Sequence, residues 1–158
     1  MIFVNHKDTA EKIIKQLAAK RIVGKALIGK MDNSERDKVI DEFKRHKYPV
    51  LVATSVLARG IDVPAVKIVI NFDTAMESKY NFWEPDYANY LHRIGRTGRF
   101  GTDGMAITFY DGEVEESIVK KTEEYWESDI KEITTFDEFM NTYKRMRPGK
   151  TRLETGFA

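Results

Sequence analysis

The chain has 158 residues, 42% hydrophobic and 32% charged, a length that one domain with one core accounts for; its lack of cysteine excludes disulfide frameworks, thiolate metal sites and cysteine nucleophiles. No apolar run approaches the roughly 20 residues that cross a bilayer, and nothing near the start resembles a signal peptide, so a soluble, non-membrane protein is expected. The net charge of +1 conceals an asymmetry: Met1 to Tyr110 carries 18 Lys and Arg against 13 Asp and Glu, Asp111 to Glu138 carries 3 against 11, and Phe139 to Ala158 carries 5 against 1.

Short apolar runs alternate with helical patterns along the chain. Ile2-Phe3-Val4 reads as a strand, and Thr9 to Lys20 as an amphipathic helix burying Ala10, Ile13, Leu17 and Ala18. Lys25 to Ile28 is the second strand. Ser34 to Lys44 follows as a helix, with Ser34-x-x-Asp37 at capping-box spacing and Val39, Ile40 and Phe43 on the buried stripe. Val50 to Ala53 and Val66 to Phe72 read as the third and fourth strands, nearly continuous in apolar residues as strands covered on both faces must be. A helix begins near Asp86, and Gly104 to Tyr110 is the fifth strand. A helix from Glu113 to Trp126, a short strand from Ile130 to Ile133 and a helix from Phe136 to Met146 complete the order. The series predicts an α/β fold with a mainly parallel sheet whose functional loops lie at the carboxyl ends of the strands. The first strand begins at the first residue, which predicts that the chain derives from a longer one. The tail from 147 to 158 is expected to be basic and disordered.

Two stretches imitate a phosphate-binding P-loop and fail. Gly24 to Met31 places Met31 where a magnesium-holding hydroxyl is required and overlaps a strand, and before Pro148-Gly149-Lys150-Thr151 Lys144 occupies the place of the first glycine. His6, His46 and His92 are scattered, so no metal site is expected. The densest chemical signal is His92 to Arg99, HRIGRTGR, with three guanidiniums in eight residues and Gly95 and Gly98 allowing close backbone approach. Permanently charged planar forks suit phosphoryl oxygens that gain charge in a transition state, although a basic helix end complementing its dipole has the same composition. Ala58-Arg59-Gly60-Ile61-Asp62, after Thr54 and Ser55, is a strand-end loop whose amides, hydroxyl and carboxylate suit phosphate and sugar.

In this order and spacing, these residues resemble the C-terminal RecA-like lobe of DEAD-box ATP-dependent RNA helicases, over Ile2 to about Tyr143. Ile2 to Asn5, Asn33 to Arg36 with Phe43-Lys44, Thr54 to Asp62 and Tyr90 to Gly101 match its motifs. The resemblance implies a three-layer fold with helices on both faces of the sheet. It implies that residues 1–146 are the helicase lobe, and that the P-loop and D-E-A-D magnesium site belong to an N-terminal lobe outside this chain. ATP with magnesium would then be held mainly by that lobe. Arg96 and Arg99 would reach the γ-phosphate, with His92 as a further catalytic-site residue; Gly60 and Asp62 would meet the nucleotide, Asp62 at the ribose. His92 and Arg93 would join the two lobes. Asn5, Gly29, Arg36, Thr54, Ser55 and Arg59 would hold single-stranded or duplex RNA by its backbone rather than its bases. The monomeric two-lobe protein would clamp RNA, unwind it locally and remodel ribonucleoprotein, and the isolated fragment would hydrolyse no ATP.

Ile28 stands where a histidine often precedes the glycine of that RNA-facing loop. The 18 residues between Asp73 and His92 exceed the simplest family members and carry Tyr80, Phe82, Trp83, Tyr87 and Tyr90, expected to pack the loop or meet a partner rather than stack bases. The lengthened segment is similar to the nuclear-pore-associated helicases of mRNA export. That likeness implies a cytoplasmic and nuclear protein at the pore, a nucleoporin on the first lobe, and a Gle1-type activator on this one, with inositol hexakisphosphate assisting in some organisms. Competing expectations are a DNA helicase or translocase lobe, and a non-enzymatic RNA or protein docking module.

Overall fold

The computed structural model describes residues 1–54, 63, 66–77, 84–98 and 103–145. The chain forms two compact units, Met1–Pro64 and Ala65–Ala158. Both are mixed α/β and pair their strands in parallel, as the alternating pattern requires.

The first unit runs β1 (Ile2–Val4), α1 (Lys7–Ala19), β2 (Gly24–Leu27), α2 (Asn33–Lys44) and β3 (Val50–Thr54). β3 lies between the other two, with Val4 opposite Thr54 and Leu27 opposite Ala53. Side chains alternate across a strand, and both faces are covered: Val4 and Val52 pack with Ala10 and Ile13 of α1, while Phe3 and Leu51 are also fully buried. The inner stripe of α1 is Ala10, Ile13, Ile14 and Leu17. Ala18, expected on it, is exposed, because the helix turns 100° per residue and position 18 has rotated past the strands. The cap of α2 also shifts. Asp32, not Ser34, accepts the backbone N–H of Glu35 at 2.8 Å, so the three-residue spacing runs from Asp32 to Glu35 and Ser34 lies inside the helix. Val39, Ile40 and Phe43 are buried as expected; Tyr48 packs on Phe43 at a centroid distance of 5.7 Å and donates its hydroxyl to the Val39 carbonyl. Gly24 to Leu27 is a strand and not a phosphate-wrapping loop.

The second unit contains β4 (Ile68–Asn71), α3 (Tyr87–Ile94), β5 (Met105–Thr108), α4 (Glu113–Tyr125) and α5 (Phe136–Arg145). β4 and β5 pair from Ile68 with Met105 to Asn71 with Thr108, and the buried Asn71 amide donates to Thr108 Oγ1 at 3.0 Å. Ala75, Tyr90, Ile94 and Ala106 form one buried cluster, with Ile130 packed against it. Of the strand expected at Ile130 to Ile133 only an isolated bridge residue, Ile133, forms; Ile133 is buried, and Glu123 of α4 accepts the Ile130 N–H at 2.7 Å. Two anchors of apolar character drew the expectation of a strand, but a side-chain carboxylate takes the backbone donor that a ladder would have used. Among the described residues no helix is long and apolar enough to cross a membrane.

Candidate functional site

Parallel pairing decides where the first group of residues lies. Asn5 follows the last residue of β1, which is level with Thr54, the last residue of β3, and Gly29 lies two residues beyond Leu27, level with Ala53. The three positions therefore share the carboxyl edge of three adjacent strands, the edge at which open parallel sheets take their ligands. Asn5 and Gly29 are exposed and Thr54 is half-buried. Gly29 has no positive φ, and a Cβ built there would meet nothing within 4 Å, so neither conformation nor packing requires its lack of a side chain. Arg36 is in the first turn of α2, half-buried, with Nε 3.9 Å from Asp37 Oδ1. Ser55, Arg59, Gly60 and Asp62, expected beside them, lie outside the described residues.

The second group is built on α3. Asp86 caps it by accepting the Asn89 N–H at 2.9 Å, and its own N–H goes to the Ala75 carbonyl at 2.9 Å. The chain returns to that cap through a narrow neck: Met76 bridges Pro85, and the Glu77 N–H donates to the Glu84 carbonyl at 3.0 Å. Of the aromatic residues in this stretch, Tyr87 stacks on Tyr125 of α4 at 4.0 Å and Tyr90 is buried, both in packing as expected; Tyr80, Phe82 and Trp83 lie outside the described residues.

Burial, with the Glu123 carboxylate as a further cause, pushes the Tyr90 phenol from 10.0 up to about 12. A group whose pKa is raised on folding contributes stability fully below its unfolded value and loses it as pH rises through the folded one. Denaturant melts of Tyr90→Phe are therefore expected to show a shallower loss of stability between pH 10 and 12 than the parent; parallel curves across that range contradict the assignment.

His92 is exposed on α3, while Arg93 is 1% exposed and its Nη1 donates to the Asp73 carbonyl at 2.7 Å. Arg93 was expected at a lobe interface; its guanidinium instead reaches inward to the segment after β4. Arg96, beyond the C-terminus of α3, is 8% exposed, and its carbonyl accepts the Val66 N–H at 2.9 Å. Thr97 pairs with Val66, and Gly98 takes a positive φ of 66°, a conformation that favours glycine. Arg99 lies outside the described residues. Sequence reasoning missed Gly104: a Cβ there would come within 2.8 Å of Thr97 Cβ and closer still to Thr97 Oγ1 and the Gly98 nitrogen. A glycine five residues after the motif was the available signal. Among the described residues no group of three His, Cys, Asp or Glu side chains suits a metal ion.

Residues 1–101 match the helicase conserved C-terminal domain family. The chain is 49% identical over 109 residues to the ATP-dependent RNA helicase dbp5 of Sclerotinia sclerotiorum, covering 69% of this chain and 23% of that protein. Among solved structures, the C-terminal domain of the DEAD-box protein Dbp5 aligns at a TM-score of 0.83 and 36% identity, over 92% of this chain and 81% of that one. Dbp5 of S. cerevisiae bound to RNA and ADP BeF3 aligns at 0.80 and 37% identity, over 91% of this chain and 37% of that one. A variant of the yeast protein bound to Nup159, a Gle1 variant, IP6 and ADP aligns at 0.79 and 33%, over 91% and 37%. The chain thus spans about a quarter of the curated helicase it matches, and about four-fifths of a solved C-terminal domain. Its fold is RecA-like, and the chain belongs to the helicase C-terminal domain family, in the DEAD-box group.

Proposed function

We propose that this chain is the C-terminal lobe of an ATP-dependent RNA helicase of the DEAD-box type, which clamps RNA and an ATP against an N-terminal lobe and remodels ribonucleoprotein in mRNA export at the nuclear pore. The observation that carries the reading is the shared edge of Asn5, Gly29 and Thr54, with a glycine there that packing does not require. An RNA backbone approaching that edge gives the glycine its reason. Contacts to phosphate and 2′-hydroxyl groups from an amide, a hydroxyl, main-chain N–H groups and the Arg36 guanidinium bind strongly without reading sequence. By the family resemblance of Thr54 to Asp62, Ser55 and Arg59 would contact the same backbone.

ATP enters as substrate. Gly60 and Asp62 face its ribose side, and Arg96 and Arg99 face the γ-phosphate, where positive charge fixed in advance stabilises what develops as the bond breaks. His92 turns towards the opposing lobe; Arg93 serves by holding α3 to the Asp73 carbonyl. Magnesium finds no set of ligands among the described residues and belongs with the phosphates on the N-terminal lobe. Residues 1–146 form the lobe, and 147–158 are a basic tail. The likeness to a complex of Nup159, Gle1 and IP6 supports a nucleoporin and a Gle1-type activator with an inositol phosphate as partners, and a location at the cytoplasmic face of the pore.

The test uses a two-lobe protein that contains this chain. Single-stranded RNA is expected to stimulate its ATP hydrolysis and single-stranded DNA is not, and Arg36→Ala is expected to weaken RNA binding and reduce the slope of log K against log salt by about 0.7, one phosphate contact. Hydrolysis indifferent to RNA overturns the reading; equal stimulation by DNA favours a translocase.

A further inference from the structure

Thr97 stands between the two arginines assigned to the phosphates, and what surrounds it is unusually constrained. Its hydroxyl lies 2.6 Å from the Val66 carbonyl and 3.0 Å from the Lys67 carbonyl, so it donates to this pair just before β4 begins. The Lys67 carbonyl also accepts the Met105 N–H at 2.9 Å, the first link of the pairing that β4 and β5 continue. From the other side, the Val66 N–H donates to the Arg96 carbonyl, and the Thr97 N–H to the Ile94 carbonyl at 3.0 Å. Gly104, the residue before β5, closes against Thr97 and the Gly98 nitrogen so tightly that no Cβ fits. Three segments, the entrance of β4, the arginine-bearing turn and the entrance of β5, are thus tied at one threonine.

We propose that Thr97 and Gly104 are positioning residues for phosphoryl transfer, fixing the turn that carries Arg96 and Arg99 to the paired ends of β4 and β5; the proposal rests on those arginines facing the γ-phosphate. A guanidinium acts on a transferring phosphoryl group only at a defined distance, and a misplacement of about 1 Å costs on the order of a hundredfold in rate. Long, flexible arginine side chains cannot supply that definition themselves. Here the backbone supplies it: Gly98 turns the chain at a positive φ that favours glycine, and the threonine hydroxyl and the Gly104 contact hold the turn against the strands. The pairing of the strand ends thereby fixes the main chain at Arg96 and Thr97, just before Arg99. Neither Thr97 nor Gly104 touches the nucleotide in this scheme.

The test again uses a two-lobe protein containing this chain, with RNA-stimulated hydrolysis measured for Thr97→Val, Thr97→Ser and Gly104→Ala beside Arg99→Ala. Valine keeps the shape of threonine and removes the donor. Thr97→Val is expected to lower kcat about tenfold or more while KM for ATP changes by less than about twofold, and Thr97→Ser, which keeps the hydroxyl, to return kcat to near the parent value. Gly104→Ala is expected to lose kcat in the same manner; if it does not fold in a thermal melt, the valine and serine pair decides. Turnover that depends on Arg99 but is unaltered in Thr97→Val, or that falls in both threonine variants alike, overturns the proposal alone. Turnover that survives Arg99→Ala overturns the phosphate assignment and the proposal with it.

Discussion

Arg99→Ala, introduced into a two-lobe protein that contains this chain, is expected to lower RNA-stimulated ATP hydrolysis by about 10³-fold or more, the scale on which arginine fingers act in phosphoryl transfer. The loss belongs in kcat and not in nucleotide affinity, because the arginine meets charge that exists fully only as the bond to the γ-phosphate breaks. Nucleotide binding, followed with a fluorescent ADP, is expected to stay within about threefold of the parent. Arg99→Lys is expected to recover little, since an ammonium keeps the charge but not the planar fork. Hydrolysis at the parental rate in Arg99→Ala contradicts the assignment. The isolated chain, supplying fingers to no phosphate, is expected to show no turnover at all.

The second large effect is one of stability. Arg93→Ala is expected to cost about 3 kcal/mol, combining the lost hydrogen bond to the Asp73 carbonyl with the void left by a side chain that is 1% exposed. Arg93 is the largest fully buried side chain among the described residues, and it ties α3 to the segment that follows β4. Chemical denaturation of the parent and the variant checks this; a change below about 0.5 kcal/mol, the scale of an ordinary surface substitution, contradicts it. Arg93→Lys is not expected to restore the loss, because an ammonium lacks the planar fork of the guanidinium and is more strongly hydrated, so its burial is less favourable.

The fold was legible wherever a single local signal decided. Val50 to Ala53, apolar throughout, could only be a strand covered on both faces, and Leu51, Val52 and Ala53 are fully buried. Legibility fell where two local signals competed: Asp32 and Ser34 both cap well, and it is Asp32 that keeps the extended backbone of a cap and accepts the Glu35 N–H, with Ser34 already helical. It failed where the cause is tertiary. An arginine inside a basic motif reads as solvent-facing, because arginine is seldom buried, and nothing local announces that the Asp73 carbonyl lies within its reach. Gly104 is the same case, since a close approach by a turn six residues earlier leaves no mark on its neighbours in sequence. For the site, the motif residues were readable as chemistry, and Asn5, Gly29 and Thr54 do share one strand edge. The Thr97 hydroxyl, which ties the turn to β4, was not readable, because its acceptors are main-chain carbonyls some thirty residues away.

The neck between Met76 and Pro85 has a consequence for how the protein can change. Its two strands are bound to each other by the Glu77 to Glu84 hydrogen bond, and the Asp86 N–H returns to the Ala75 carbonyl immediately beside it. Glu77 and Glu84 are therefore held side by side, and the cap of α3 starts from a fixed place beside Ala75. Joining the ends of a loop costs only about 0.6 kcal/mol more for each doubling of its length. A change in the number of residues between Glu77 and Glu84 is therefore expected to cost little as long as that pairing is kept, and α3 keeps its starting point.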